Sequence, residues 1–86
     1  MDKIKALEQY MVAVDKVKVF SREIKQLTEQ LEVGNEVITS TYLSKLTIQE
    51  ARILSYEIKR ELEAVIREAN LYAGACGQPM LGENTD

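Results

Sequence analysis

The sequence predicts an all-α protein, an antiparallel two-helix hairpin of coiled-coil type that dimerisation or a partner would complete. Two long stretches contain neither glycine nor proline and carry apolar residues at helical spacing. The one proline and the four glycines lie between or after these stretches. At 86 residues the chain is long enough for one small domain.

The first helix is predicted over residues 2–33, a stretch without a breaker that is rich in good helix formers. Gly34 and Asn35 predict its end, because glycine readily takes the left-handed conformation found after a helix. Residues 34–41 are predicted to form the connector, since their β-branched and hydroxyl side chains disfavour a helix.

The second helix is predicted over residues 42–73, with its end at Gly74. Its start is ambiguous, because Ser40, Thr41, Ser44 and Thr47 are all possible N-caps, and Thr47 also forms a capping-box pattern with a glutamate three residues later. Residues 1–73 would thus form the helical hairpin. Glycine, proline and terminal acids predict that residues 74–86 form a flexible tail.

Each predicted helix has one apolar stripe along its length, and the two stripes are expected to face each other as a seam. On the first helix the stripe is Ala6, Tyr10, Ala13, Val17, Phe20, Ile24, Leu27 and Leu31. On the second it is Leu43, Ala51, Leu54, Ile58, Leu62, Val65, Ala69 and Tyr72. The residues expected to be buried in the seam include Val17, Phe20, Ile24, Leu54, Ile58 and Leu62.

The first helix also carries a second apolar stripe, offset from the first and confined to the N-terminal half: Ile4, Leu7, Met11 and Val14. A two-helix hairpin has only one inner face, so this stripe would stay in water. We therefore predict that these four residues bind a polypeptide, which is either another protein or a second copy in a four-helix bundle. The second helix has a thinner outer row, also expected to be wet: Leu46, Ile53, Ala64 and Leu71.

Composition argues against several classes of function. The net charge is −3 and the lysines and arginines are interleaved with acids, which disfavours nucleic-acid binding. No apolar run approaches the roughly 20 residues that span a bilayer, so no membrane association is expected. The lone cysteine, Cys76, suits a reducing compartment and a cytoplasmic location.

Catalytic equipment is missing from the sequence. Histidine, the commonest general base and a common zinc ligand, is absent. Cys76 has no basic neighbour in the sequence to activate it as a nucleophile, and no glycine-rich phosphate loop occurs. We expect no catalytic, metal or cofactor site and no enzymatic activity.

The stretch from Leu7 to Tyr72 resembles the YscE/SsaE-type co-chaperones of type III secretion systems. The resemblance lies in LEQYMVAVDKVKVFSREIKQLTEQLEVGN, a long helix that opens on LE and ends in a QLE-x-x-N-like stop, and in a second helix that closes in ANLY. It implies a non-enzymatic, cytoplasmic bacterial virulence protein. Such a protein binds a tetratricopeptide-like chaperone and helps to keep the needle subunit unpolymerised.

Two other interpretations stay open. The needle subunit is itself a helical hairpin of this length, but needle proteins usually turn through a loop with proline, which residues 34–41 lack. The other alternative is a self-associating hairpin that forms a four-helix bundle, for example a phage-encoded regulator or inhibitor of a host protein.

Overall fold

A computed structural model describes residues 2–41 and 43–82. Within them the chain forms two α-helices, α1 (Lys3–Val33) and α2 (Ile48–Cys76), that pack against each other along their length. The only β-pairing in these two ranges is one isolated antiparallel bridge. The predicted all-α hairpin is confirmed. The molecule measures 49 × 25 × 14 Å, so it is a single layer, since one helix with its side chains is about 10–12 Å wide.

Helix α1 has the predicted ends to within one residue. Asp2 is the N-cap, and its carboxylate accepts a hydrogen bond from the Ile4 amide at 3.4 Å. Gly34 follows the last helical residue with φ +85°, and the amides of Gly34 and Asn35 both donate to the Gln30 carbonyl. These bonds satisfy part of the open carbonyl row at the helix end, and the positive φ is the reason that glycine lies there.

The predicted start of the second helix at residue 42 is wrong, because α2 begins at Ile48. The connector therefore runs over residues 34–47. Ile38 and Leu46 exchange backbone hydrogen bonds of 2.9 and 2.7 Å, and Lys45 has φ +59°, so this segment cannot continue a helix. The true N-cap is Thr47, and it forms the capping box with Glu50.

The capping box gives the stability of α2 a defined pH dependence. The carboxylate of Glu50 accepts from the Thr47 amide at 3.0 Å, and the Thr47 hydroxyl accepts from the Glu50 amide at 3.1 Å. The hydrogen bond from the Thr47 backbone, followed by that of its side chain, lowers the pKa of Glu50 from 4.5. A lowered folded-state pKa means that this stabilisation is fully present above 4.5 and is lost as the pH falls through the folded value.

We therefore expect Glu50→Gln to lower the melting temperature at about pH 6, and this difference to shrink as the pH is lowered from 4.5 through the folded-state pKa. Once the wild-type carboxyl has taken up its proton, both chains carry a neutral group at this position. Circular dichroism melts across this range measure the difference. A difference between the two melting temperatures that stayed constant with pH would contradict the prediction.

The prediction that Gly74 ends the second helix is also wrong. Helix α2 continues to Cys76, and Gly77, at φ +77°, provides the left-handed C-cap. A glycine inside a helix costs only about 1 kcal/mol relative to alanine. Burial of Ala73 and Cys76 on either side of Gly74 offsets that cost.

Residues 74–82, predicted to form a flexible tail, have defined positions against the hairpin, and residues 74–76 belong to α2. Leu81 packs against the core at the open end of the hairpin, and its backbone is hydrogen-bonded to Asn70. We call residues 78–82 the strap. The sequence analysis did not predict the strap, because a segment without apolar periodicity can still pack one side chain against the core. The rest of the predicted tail, residues 83–86, lies outside the described residues.

The core consists of two clusters that establish the antiparallel arrangement. One joins the C-terminal half of α1 to the start of α2 and the connector, and contains Leu27, Ile38, Leu46, Ala51 and Ile58. The other joins the N-terminal half of α1 to the end of α2, and contains Ala13, Val65 and Ala69. The connector closes over one end of the hairpin, and the strap over the other.

The seam is as predicted in position, but less buried. Of the six residues named for it, Ile58 is buried, and Val17, Phe20, Ile24, Leu54 and Leu62 are half-buried. Large side chains straddle the seam, and a single layer leaves their edges in solvent. Leu43, predicted to lie in the seam, is in the connector and 53% exposed, whereas Leu46, predicted to be wet, is buried through its pairing with Ile38.

Candidate protein-interaction surface

The predicted partner-binding residues lie on α1, on the side turned away from α2. Ile4 is 68% exposed and Met11 59%; Leu7 is also exposed, and Val14 is half-buried. At about 100° per residue, Val14 is the member nearest the core stripe, which accounts for its lower exposure. The four residues repeat at the spacing that places them in one row, and we call this row the outer stripe.

The same face of α1 changes from apolar to basic after Val14. Lys18 and Lys25 continue the seven-residue spacing of Ile4 and Met11, and Arg22 lies between them; all three are exposed. In the sequence these cations are interleaved with Asp15, Glu23 and Glu29; the structure buries Glu23 away from this face, whereas Asp15 and Glu29 stay exposed. The surface is therefore an apolar row that continues into a charged, mainly basic stretch.

Glu23 is a buried charged residue that the pattern of the sequence did not reveal. Only 3% of it is exposed, and its two carboxylate oxygens accept from the Thr41 amide at 2.9 Å and the Thr41 hydroxyl at 2.7 Å. Gln30 holds Thr39 in a similar way, donating to its carbonyl at 2.8 Å and accepting from its amide at 2.9 Å. These bonds fasten the connector to α1 on the flank opposite Tyr10. A buried carboxylate here is thus structural.

The outer side of α2 has a different character. Of its predicted outer row, Ile53, Ala64 and Leu71 are exposed, and the two large side chains, Ile53 and Leu71, are far apart along the helix. Between them the Arg60 guanidinium lies 6.0 Å from the centre of the Tyr56 ring and 3.9 Å from the Glu57 carboxylate. Exposed pairs of this kind add little stability. The contiguous apolar row on α1 is therefore the stronger candidate for an interface.

We also searched the described residues for clefts, metal-binding side chains and reactive thiols. A shallow cleft between the helices is lined by Thr28, Leu31, Arg52, Ser55, Tyr56 and Lys59. Across residues 2–41 and 43–82, no three side chains of metal-binding type gather in one place. Cys76 is a free, buried thiol at the end of α2. No helix in the described part of the chain combines the length and apolar character needed to cross a membrane.

Comparison with protein-family models, with curated proteins and with solved structures gives no match to this chain.

Proposed function

We propose that this chain is a non-enzymatic protein-interaction module that binds a polypeptide partner through the outer stripe. The observation that carries the proposal is the exposure of Ile4, Leu7 and Met11 in one row on a molecule only one helix layer thick. Fully burying each large side chain of this kind stabilises an assembly by about 1.5–3 kcal/mol. A protein that leaves the row in water forgoes that stabilisation.

The charges beside the stripe define the partner further. Lys18, Arg22 and Lys25 follow the apolar row and outnumber the one acid on that face, Glu29, so the complementary surface carries apolar residues followed by mainly acidic ones. A parallel pairing of two copies would bring Lys18 and Lys25 against their equivalents, which disfavours that arrangement. In an antiparallel pairing of the two stripes, the cations lie beyond the contact.

The more specific proposal is a type III secretion co-chaperone. Its support is the resemblance of residues 7–72 to the YscE/SsaE-type family, together with a hairpin that has one spare apolar face. On this proposal the outer stripe docks on a tetratricopeptide-like chaperone in the cytoplasm, and the pair keeps the needle subunit unpolymerised.

The second candidate is a self-associating hairpin, in which two copies form a four-helix bundle. The thickness of 14 Å favours it, because a second layer would cover the side-chain edges that one layer leaves wet. Light scattering on the purified chain separates the two candidates. A monomer has a mass of 9.8 kDa, and a dimer has twice that mass.

The test is a double variant, Leu7→Gln with Met11→Gln, which removes two anchors and keeps good helix formers. We expect association to weaken by about 2 kcal/mol, roughly thirtyfold in Kd, with unchanged helicity. The association is measured with a second copy by sedimentation, and by calorimetry with the tetratricopeptide chaperone encoded beside this gene, where there is one.

The matched control is Val12→Gln with Val19→Gln, since these two valines are exposed on α1 but off the stripe. It should leave association unchanged. Unchanged association of the Leu7/Met11 variant would sink the proposed interface, as would a wild-type chain that stays monomeric and binds no such chaperone. A loss of helicity would instead assign these residues to the fold.

A further inference from the structure

The strap occupies a notch between the helices at the open end of the hairpin. Ala13 of α1 and Val65 and Ala69 of α2 form a buried cluster there, and Tyr10, Val17 and Leu81 pack against it. The two alanines are small, which leaves room above them for a side chain from outside the helices. The notch is thus an apolar depression into which one leucine fits.

Asn70, at the rim of the notch, makes two hydrogen bonds to the backbone of the strap. Its Oδ1 accepts from the Leu81 amide at 2.7 Å, and its Nδ2 donates to the Leu81 carbonyl at 3.0 Å. A neighbouring β-strand bonds an extended residue in the same two-point way. The Tyr10 hydroxyl adds a third bond, donating to the Pro79 carbonyl at 3.3 Å. The Asn70 amide thus holds both backbone groups of Leu81, whose side chain lies in the notch.

In the described residues the strap is held by these contacts and by the Gln78 amide, which donates to the Ala73 carbonyl at 3.1 Å. Met80, beside Leu81, is 68% exposed, and Leu81 is itself only half-buried. Gly77, with its left-handed backbone, is the point at which the chain leaves α2. Segments with few buried contacts open at low free-energy cost. None of the contacts requires that the strap be covalently joined to the helices that hold it.

We propose that the notch is a binding site for an extended, leucine-bearing segment of another polypeptide, and that the strap is its intramolecular ligand. A partner segment that is extended like the strap, and that carries a leucine at the equivalent position, displaces the strap from the notch. Tyr10 lies one turn from Leu7 and Val14 on α1, so a partner on the outer stripe is within reach of the notch. The proposal uses Asn70, Leu81 and the notch, and stands apart from the proposed function.

The experiment uses the full chain and the capped hexapeptide that corresponds to residues 77–82, with fluorescence anisotropy as the readout. In the wild-type chain the strap competes at an effective concentration on the order of millimolar. We expect Leu81→Asp, which expels the strap, to bind the peptide at least tenfold more tightly than the wild type does. Leu81→Ala, a milder change, serves if Leu81→Asp loses helicity.

Adding Asn70→Ala to the Leu81 variant should weaken peptide binding about tenfold, because both backbone hydrogen bonds are lost. A control peptide with the leucine replaced by aspartate should not bind, and the Leu7/Met11 variant should bind the hexapeptide as the wild type does. The proposal is overturned if the opened chain does not bind the peptide, or if it binds both peptides equally. It is also overturned if Asn70→Ala has no effect.

Discussion

Replacing Leu27 with alanine should lower the free energy of unfolding by about 2–5 kcal/mol, the largest effect expected from a single substitution in this chain. Leu27 is fully buried, and its cluster joins α1 to the connector through Ile38 and Leu46 and to α2 through Ile58. Truncation removes apolar contacts and leaves a cavity at the point where three segments meet. Denaturant unfolding followed by circular dichroism measures the loss.

The matched control is Leu71→Ala in α2, because Leu71 is 77% exposed and the substitution is chemically the same. We expect its effect to stay within about 0.5 kcal/mol. If the Leu27 variant unfolds fully at room temperature, Leu27→Val gives a smaller and measurable loss. Equal losses at Leu27 and Leu71 would show that this end of the hairpin contributes no core.

Replacing Thr41 with valine should lower the free energy of unfolding by about 2–3 kcal/mol. The hydroxyl of Thr41 donates a hydrogen bond to Oε2 of Glu23. Glu23 is only 3% exposed, so water reaches its carboxylate poorly. Without the Thr41 hydroxyl, that carboxylate oxygen loses its hydrogen-bond donor. A buried acceptor without a partner costs more than the hydrogen bond itself contributes, especially when the acceptor is charged.

Two variants test whether the loss comes from this hydrogen bond or from replacing any threonine in the connector. Thr41→Ser keeps the donor and should cost much less. Thr39→Val removes a hydroxyl that donates to Gln30 at the exposed surface, and should cost no more than about 1 kcal/mol. In a double-mutant cycle with Glu23→Gln, a coupling of about 1 kcal/mol or more would assign the loss to this contact. Additive losses would contradict it.

The position of the outer stripe was largely predictable from the sequence, because helical spacing decides which residues share a face. Ile4, Leu7 and Met11 are exposed in one row, as the period of α1 predicts. The burial of Glu23 was not predicted, because its partner Thr41 is 18 residues away and a periodic pattern does not record that contact. The strap was not predicted for a similar reason, because a single docked leucine produces no periodic pattern in the sequence.

The sequence by itself determined the elements that depend on residues close together along the chain. The span of α1, its end at Gly34 and the capping box of Thr47 and Glu50 are local, and local chemistry is enough to specify them. The choice among the possible starts of α2 was made by the pairing of Ile38 with Leu46, which fixes the connector in a non-helical form.

The tertiary structure decided the features that join distant parts of the chain. Tyr10 bonds Pro79, 69 residues away, and Glu23 bonds Thr41, 18 residues away. Helix α2 extends past Gly74 because Cys76 is buried, and Leu81 docks because Ala13 and Ala69 are small on facing helices. A periodic pattern records which face of one element is apolar. It does not record which non-periodic segment will cover the end of that face, because that depends on the space left when the two helices meet.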